Sequence, residues 1–164
     1  MVEEYDSIIR NSPWEIVPRP VNKLVVGSIW IYKVKQAVDG SVEKYKGINF
    51  ARAFSRIEGI DYEETFAPIA RYSSIQTILS LSTQMGWHIL QMDVKITFLN
   101  GIIEEEVYIE QPKGFDIFSN ESHVCRLKRA LYGLKQAPHA WYTRIDSYFT
   151  GLGFTKNEAD ANLY

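Results

Sequence analysis

Cysteine is almost absent from the sequence, since Cys125 is the one thiol among 164 residues. A single thiol cannot form an internal disulfide, and it excludes the zinc sites that are built from several cysteines. His88, His123 and His139 lack the close spacing that paired metal ligands show on one helix. We interpret these three histidines as packing or surface residues.

Long apolar runs are missing as well. No stretch of about 18 apolar residues occurs, which argues against a transmembrane helix. The first residues are acidic, whereas a signal peptide begins with a basic segment followed by an apolar one. We therefore expect an intracellular protein with no membrane partner, and the sequence leaves open whether it is cytoplasmic or nuclear.

The sequence also lacks a net positive charge, because its formal net charge is −2. Bulk charge therefore does not indicate nucleic-acid binding. Basic residues nevertheless concentrate in two stretches, which are explained equally well as solvated faces or as binding surfaces. The first stretch contains Lys33, Lys35, Lys44, Lys46, Arg52 and Arg56, and the second contains Arg126, Lys128, Arg129 and Lys135.

Aromatic and β-branched residues predict several strands. Residues 28–36 and 42–50 are separated by the turn residues Asp39 and Gly40, which predicts a β-hairpin. A second β pair is predicted at 107–110 and 124–127. The apolar segment 87–94 is typical of a buried strand, and it carries Asp93 near its end.

Helical spacing of apolar residues predicts two helices. The first begins at Ser74 as a cap, ends at Gly86, and buries one face made of Ile75, Ile78, Leu79, Ser82 and Met85. The second begins at Pro138 and ends at Gly153. Its core-facing side carries Trp141, Tyr142, Ile145, Tyr148, Phe149 and Leu152.

Asp93 is the candidate with chemical meaning. A carboxylate at the end of an apolar strand is unfavourable to bury unless a metal ion or a hydrogen-bond donor compensates it. Phosphoryl-transfer sites use such carboxylates to hold magnesium. A helix cap or a turn residue is the competing interpretation, because many α/β proteins place aspartate at this point.

Four blocks of the sequence, in order and at matching spacing, resemble the reverse transcriptase domain of copia-type retrotransposon Pol polyproteins of plant type. Such agreement is far more specific than a lone short motif. The blocks are residues 59–71 (GIDYEETFAPIAR), 91–95 (QMDVK) with 98–101 (FLNG), 104–115 (EEEVYIEQPKGF) and 131–138 (LYGLKQAP). The resemblance covers residues 14–164 and leaves 1–13 as an extension, so we expect one partial domain over 1–164.

The resemblance implies an α+β fold, namely the fingers and part of the palm of a right-hand polymerase. RNA or DNA template-primer and a deoxynucleoside triphosphate would be its substrates, and the remaining Pol segments are possible partners. The oligomeric state stays open. Asp93 matches the family's first palm aspartate, which binds magnesium and makes Asp93 the catalytic and metal-binding candidate.

The nucleotide-binding candidates also follow from the resemblance. Phe98 matches an aromatic residue that excludes a 2′-hydroxyl, with a core aromatic as the alternative. The loop that backs the nucleotide corresponds to Tyr132, Gly133 and Lys135, with a structural turn as the alternative. Lys46 in the fingers and Val94 and Lys95 beside Asp93 complete the set.

Two segments depart from the family pattern. The family typically reads YKARLVA where this sequence has residues 45–51 (YKGINFA), so Ile48 replaces a basic residue and Asn49 replaces an apolar one. Ile96 and Thr97 replace the usual Thr-Ala, which adds bulk beside the nucleotide site. Phosphate contacts in the fingers and the width of the site are therefore expected to differ.

In the family, a second group of catalytic aspartates lies in a Tyr-Val-Asp-Asp-like hairpin. This hairpin follows the segment that residues 160–164 resemble. The sequence stops at Tyr164, so we expect a polymerase fragment that is inactive alone. One carboxylate cannot hold two magnesium ions in the geometry of the reaction. The alternatives are a non-catalytic remnant that binds nucleic acid or a partner, and a reading frame without function.

We predict that the chain is poorly soluble alone, because an apolar strand at 87–94 without neighbouring palm strands would leave an aggregation-prone edge. Size-exclusion chromatography and a thermal melt test this. A monomer with a cooperative melt would contradict the prediction.

Overall fold

The computed structural model describes residues 2–53, 65, 67–115, 118 and 121–164. The described residues mix helices and strands. In chain order they form α1 (Val2–Asn11), β1 (Trp14–Pro18), β2 (Val25–Val26), β3 (Ser28–Gln36), β4 (Val42–Ala51), α2 (Tyr72–Met85), the 3-10 helix η1 (Thr97–Asn100), β5 (Tyr108–Ile109), β6 (His123–Leu127) and α3 (Ala137–Gly151). Most of the sequence block 59–71 lies outside the described residues.

One sheet has the strand order β1-β6-β5-β2. Strand β6 pairs antiparallel with both β1 and β5, and β2 pairs parallel with β5. The predicted pairing of 107–110 with 124–127 is thus confirmed. Strand β1 was not predicted, although Trp14 and Ile16 alternate along it and pack against the core.

The predicted hairpin is confirmed as the antiparallel pair β3–β4. Its turn is fastened by Asp39, whose carboxylate accepts hydrogen bonds from the backbone N–H (2.9 Å) and the hydroxyl (2.6 Å) of Ser41. These bonds lower the pKa of Asp39 below its usual value. The register places Lys33 opposite Lys46 and Lys35 opposite Lys44.

A layer of aromatic rings joins the hairpin to the four-stranded sheet. The ring of Phe115 packs edge-to-face on Trp14 at 5.5 Å and stacks on Trp30 at 6.4 Å between centroids. The indole N–H of Trp30 also donates a hydrogen bond to the Lys113 carbonyl at 3.0 Å. Beneath this layer lie buried residues such as Val26 and Ile109, so the core sits between the sheet and the base of the hairpin.

Helix α1 was not predicted. Its side chain Ile8 is buried in the core, and Pro13 separates the helix from β1. The helix forms because this apolar contact fixes it on the fold, and packing of that kind contributes more to short helices than local propensity does.

The prediction that helix α2 buries an apolar face is wrong. The helix begins at Tyr72, with Arg71 rather than Ser74 as its N-cap residue, and it ends at Gly86 as predicted. Of the predicted face only Ser82 is buried, whereas Ile75 is 45% exposed. The remaining exposed members of that face are Ile78, Leu79 and Met85. Helical spacing specifies which residues share a face, but a neighbouring element must cover it.

The predicted strand at 87–94 is absent from the structure, so the prediction that Asp93 ends a buried strand is wrong. Residues 87–95 have no helix or strand and are exposed, and Met92 is 85% exposed. A strand needs a partner for its backbone groups. No strand of the described residues runs beside this segment, so its apolar pattern alone does not make it a strand.

Helix α3 begins at Ala137, one residue before the predicted start, with Pro138 in its first turn. Trp141, Tyr142, Ile145 and Phe149 are half-buried, in agreement with the predicted stripe. Tyr148, in the last turn of the helix, and Leu152, directly after it, are exposed instead.

The C-terminal residues fold back onto α2 and α3. The carboxylate of Asp160 is buried and accepts a hydrogen bond from the Ser74 hydroxyl at 2.6 Å, which lowers the pKa of Asp160. Asp146 of α3 accepts hydrogen bonds from Tyr164 (2.5 Å) and Lys156 (2.8 Å). Ser74 thus anchors the C-terminal segment and does not cap α2. No helix of the described residues is long and apolar enough to cross a membrane.

We predict that Asn49→Leu stabilises the protein. Asn49 lies in β4 opposite Trp30 and is only 2% exposed, yet neither atom of its side-chain amide has a hydrogen-bond partner among the residues that the structure describes. Removing such an unsatisfied pair should raise the free energy of unfolding by about 1–3 kcal/mol. Thermolysin digestion across a urea series measures this at low protein concentration.

Asn100→Leu is the matched control, because the Asn100 amide donates hydrogen bonds to the carbonyls of Ile96 (3.3 Å) and Lys95 (3.4 Å). The same substitution there should lower the free energy of unfolding by about 1–2 kcal/mol. Loss of stability in both variants would show that the amide of Asn49 is satisfied in solution.

Candidate functional site

Two predicted nucleotide-site residues, Phe98 and Tyr132, contact each other although 34 positions separate them in the sequence. Their ring centroids are 4.8 Å apart and the rings are inclined at 68°, an edge-to-face arrangement. Both side chains are half-buried. Such a pair stabilises by about 0.5–1.5 kcal/mol beyond its area burial, so each ring fixes the orientation of the other.

Gly133, the third predicted residue, lies directly against the end of β4. The Ala51 N–H donates a hydrogen bond to the Tyr132 carbonyl at 2.7 Å, and Phe50 and Tyr132 form an isolated parallel bridge. A Cβ on Gly133 would overlap the Ala51 carbonyl oxygen and lie 2.5 Å from the Phe50 ring. With its φ of 90° as well, position 133 requires glycine.

Local hydrogen bonds hold Phe98 in place within η1. The Asn100 amide donates to the Ile96 carbonyl and the Thr97 hydroxyl donates to the Val94 carbonyl at 3.0 Å. Behind the turn, Gly101 approaches α3 so closely that a Cβ would lie 2.9 Å from the Ala140 carbonyl carbon. Helix α3 therefore provides the rigid support for the turn that carries Phe98.

Ile96 adopts a φ of 50°, which is in the left-handed region. A β-branched residue is rarely found there, and the conformation carries a strain of about 1–3 kcal/mol. Its side chain packs against the core and Asn100 closes the turn around it, which compensates for the strain. The departure from the family at positions 96–97 thus falls on a strained turn directly before Phe98.

Asp93, Val94 and Lys95 lie in the exposed segment that leads into η1. They are linked to the Phe98 turn by the bonds that Thr97 and Asn100 donate to the Val94 and Lys95 carbonyls. The described residues contain no group of three or more potential metal ligands. One exposed carboxylate does not meet the several-oxygen requirement of magnesium, so the metal-binding role of Asp93 stays a prediction.

The two predicted lysines belong to the two segments that meet where β4 contacts the 131–134 turn. Lys46 is half-buried on β4, four residues before Phe50. Lys135 is exposed, two residues after Gly133. The structure therefore brings Phe98, Tyr132 and Gly133 together directly, and it connects the two lysines to them along the backbone.

Sequence reasoning missed the supporting role of Phe50, Ala51 and Asn100. Phe50 and Ala51 carry no sequence signal for this role, because only the strand register brings them against Gly133. Asn100 belongs to the FLNG block, and an asparagine directly before a glycine is a sequence signal for a turn that its side chain closes. Gln111 of the third block is also structural, since its buried amide donates hydrogen bonds to the carbonyls of Phe118 (2.9 Å) and His123 (3.2 Å).

A family model described as reverse transcriptase (RNA-dependent DNA polymerase) matches residues 11–164 of this chain. The chain belongs to the reverse transcriptase family. The match spans every candidate residue, from Lys46 to Lys135. This match confirms the resemblance that the sequence blocks indicated. The matched range also contains Phe50 and Ala51, which lie outside those blocks.

The relatives of this chain include plant retrotransposon Pol polyproteins, which confirms the copia-type assignment. The chain is 38% identical over 164 residues to the retrovirus-related Pol polyprotein from transposon TNT 1-94 of Nicotiana tabacum. It is 38% and 39% identical over 165 residues to those from transposons RE1 and RE2 of Arabidopsis thaliana. These alignments cover all of this chain but only 12%, 11% and 11% of the relatives. No solved structure matches the chain.

We predict that Gly133→Ala breaks the contact between this reverse transcriptase turn and β4. The added methyl group would meet the backbone of Ala51, which cannot move without disturbing the hairpin. We expect the free energy of unfolding to fall by more than about 2 kcal/mol, measured by thermolysin digestion across a urea series.

Gly153→Ala is the matched control, because Gly153 has the same φ of 90° but a Cβ there would have no heavy atom within 4 Å. It carries only the backbone penalty of about 1 kcal/mol. Equal losses in the two variants would contradict a tight contact at Gly133.

Proposed function

We propose that this chain is the fingers and the first part of the palm of a right-hand polymerase that extends a DNA primer along an RNA template. The observation that carries the proposal is the contact of Phe98 with Tyr132 beside Gly133. These residues come from two separate sequence blocks, and both blocks match the nucleotide-site motifs of the family. Template-primer and a deoxynucleoside triphosphate are the substrates that the proposal implies.

In this assignment the β3–β4 hairpin belongs to the fingers, and the segment that carries Asp93 belongs to the palm. The Phe98 ring, held edge-to-face by Tyr132, forms a rigid wall beside the sugar of the incoming nucleotide. A rigid aromatic wall discriminates by size, because an additional 2′-hydroxyl has no space beside it. Gly133 supports the wall by allowing the turn to reach the β4 backbone.

Asp93 supplies one carboxylate to the proposed site. Magnesium in two-metal sites brings together the attacking oxygen and the transferred phosphate, and it requires several oxygen ligands. Asp93 alone does not fit that requirement. We therefore assign polymerisation to a polypeptide that includes this chain together with further carboxylates, and not to residues 1–164 by themselves.

The second candidate function is non-catalytic binding of nucleic acid. It is favoured by the exposure of Asp93 without companion ligands among the described residues. In that case the hairpin and the Phe98 wall would retain a polynucleotide without extending it. The two candidates differ in whether extension occurs in the presence of magnesium.

Primer extension on an RNA template with magnesium tests the proposal. The 164-residue chain is compared with a polypeptide that continues through a Tyr-Val-Asp-Asp hairpin and thumb, and each is paired with an Asp93→Asn variant. We expect extension by the longer form only, with its Asp93→Asn variant losing at least about a hundredfold in rate, because a carboxamide is a poor metal ligand.

If the Asp93→Asn variant of the longer form still extends the primer, Asp93 is not a catalytic residue. If neither polypeptide extends the primer but both bind RNA, the non-catalytic function is favoured instead. An Asp39→Asn variant of the longer form is the control. The Asp39 carboxylate accepts hydrogen bonds from Ser41 within the hairpin turn, so this substitution should leave extension unchanged.

A further inference from the structure

Asp160 caps helix α2 from a distant part of the chain. Its carboxylate accepts a hydrogen bond from the Ser74 hydroxyl at 2.6 Å, across 86 positions of the sequence, and it accepts another from the Arg71 backbone N–H. In a capping box, the side chain of the third helical residue accepts a hydrogen bond from the N–H of the N-cap residue. Ser74 holds that third position in α2, and Asp160 supplies the acceptor in its place.

The N-terminus of α2 has no local substitute for this contact. Arg71 is its N-cap residue and makes no capping hydrogen bond through its side chain, and the first turn of the helix contains no acidic residue. The first N–H groups of a helix have no partner within the helix, and the N-terminus carries a partial positive charge. The negative charge of Asp160 therefore lies at the end of α2 that it stabilises.

Packing does little to hold α2 on the described part of the chain. Within the helix, Ser82 is buried and Ser74 is half-buried, whereas every other residue is exposed. A helix of 14 residues is marginal in water by itself, because most helices in proteins are stabilised by the packing of an apolar face. We therefore expect the contact with Asp160 to have a large share in ordering α2.

The turn that carries Asp160 is itself held by α3. The Asp160 backbone N–H donates a hydrogen bond to the Asn157 side-chain oxygen at 3.3 Å, and the Asp160 carboxylate accepts one from the Asn162 N–H at 3.0 Å. Directly after Asp160, the Tyr142 hydroxyl of α3 donates a hydrogen bond to the Ala161 carbonyl at 3.0 Å. The carboxylate that caps α2 is therefore fixed relative to α3.

The exposed segment that carries Asp93 lies between α2 and η1. Its C-terminal end is tied to η1 by the hydrogen bond that Thr97 donates to the Val94 carbonyl, and η1 packs on α3. Its N-terminal end follows directly after Gly86, which ends α2. Both ends of the segment are thus placed relative to α3, one through η1 and the other through α2 and Asp160.

We propose that Asp160 is a positioning residue, whose carboxylate fixes α2 to α3 and thereby sets where the Asp93 segment enters the candidate site. A segment held at one end samples many conformations, whereas a segment fixed at both ends samples few. The inference rests on the proposed function, because it gives Asp160 a role in placing the catalytic candidate Asp93. Asp160 acts through α2 and contacts no substrate.

Double electron–electron resonance tests the proposal on the full 164-residue chain fused to maltose-binding protein. Spin labels at Gln84→Cys, in the last turn of α2, and Arg144→Cys, on α3, report the distance between the two helices. Both positions are exposed, whereas the native Cys125 is buried and stays unlabelled.

We expect one narrow distance distribution in this reference chain. Its width should increase by at least about twofold in Asp160→Asn, because the amide nitrogen of asparagine cannot accept a hydrogen bond and α2 loses its negatively charged cap. Ser74→Ala should also broaden the distribution. The double variant should be no broader than Asp160→Asn, since both substitutions remove the same contact.

Glu158→Gln is the matched control, since it makes the same change at an exposed carboxylate two residues before Asp160. It should leave the width unchanged. An unchanged width in Asp160→Asn, equal broadening in Glu158→Gln, or additive broadening in the double variant would overturn the proposal. Unfolding of the whole chain in Asp160→Asn, seen in its urea midpoint, would overturn it as well.

The consequence for Asp93 is measured in the first turnover of primer extension by the longer polypeptide. A displaced catalytic group slows this turnover, so its rate constant should fall by about tenfold or more in Asp160→Asn. A merely structural role would lower the amount of product formed in the first turnover and leave the rate constant unchanged, which would overturn the proposal. The spin-label measurement uses no primer, so the expected broadening without any extension would count against the proposed function alone.

Discussion

The contact between the 131–134 turn and the end of β4 is the constraint on which the candidate site depends. Its central elements are the hydrogen bond from the Ala51 N–H to the Tyr132 carbonyl and the close approach of Gly133 to the Ala51 carbonyl. Through it the hairpin is fixed to the part of the chain that carries Phe98. Because the approach is between backbones, no side-chain rearrangement can replace it, and its geometry is therefore rigid.

Charge is distributed in two different ways on either side of this contact. In the four-stranded sheet, cations face carboxylates, and the hydrogen bonds between them lower the pKa values of Glu15 and Glu106 and raise that of Lys23. On the hairpin, lysines face lysines. Exposed ion pairs contribute little to stability and directly opposed cations reduce it, so the two surfaces differ in their contribution to stability.

Apolar surface is distributed unevenly as well. The core beneath the aromatic layer is well covered, whereas the predicted face of α2 and the segment around Asp93 are exposed. These exposed residues have the periodicity of buried elements. An apolar face that no neighbouring element covers gains nothing from the hydrophobic effect. No strand of the described residues pairs with residues 87–94, so their apolar pattern does not produce a strand.

The sequence by itself determined the family, the hairpin, the β5–β6 pair, the C-terminal end of α2 and the start of α3 to within one residue. These depend on short-range signals such as turn residues, alternation and motif blocks. It also pointed to Phe98, Tyr132 and Gly133 as candidate residues. Only the tertiary structure decided that Phe98 contacts Tyr132 and that Gly133 lies against Phe50 and Ala51. It also decided that the face of α2 is exposed and that Asp93 does not lie on a strand. Each of these depends on which element lies beside another, and strand register and burial are set by long-range partners that local periodicity does not specify.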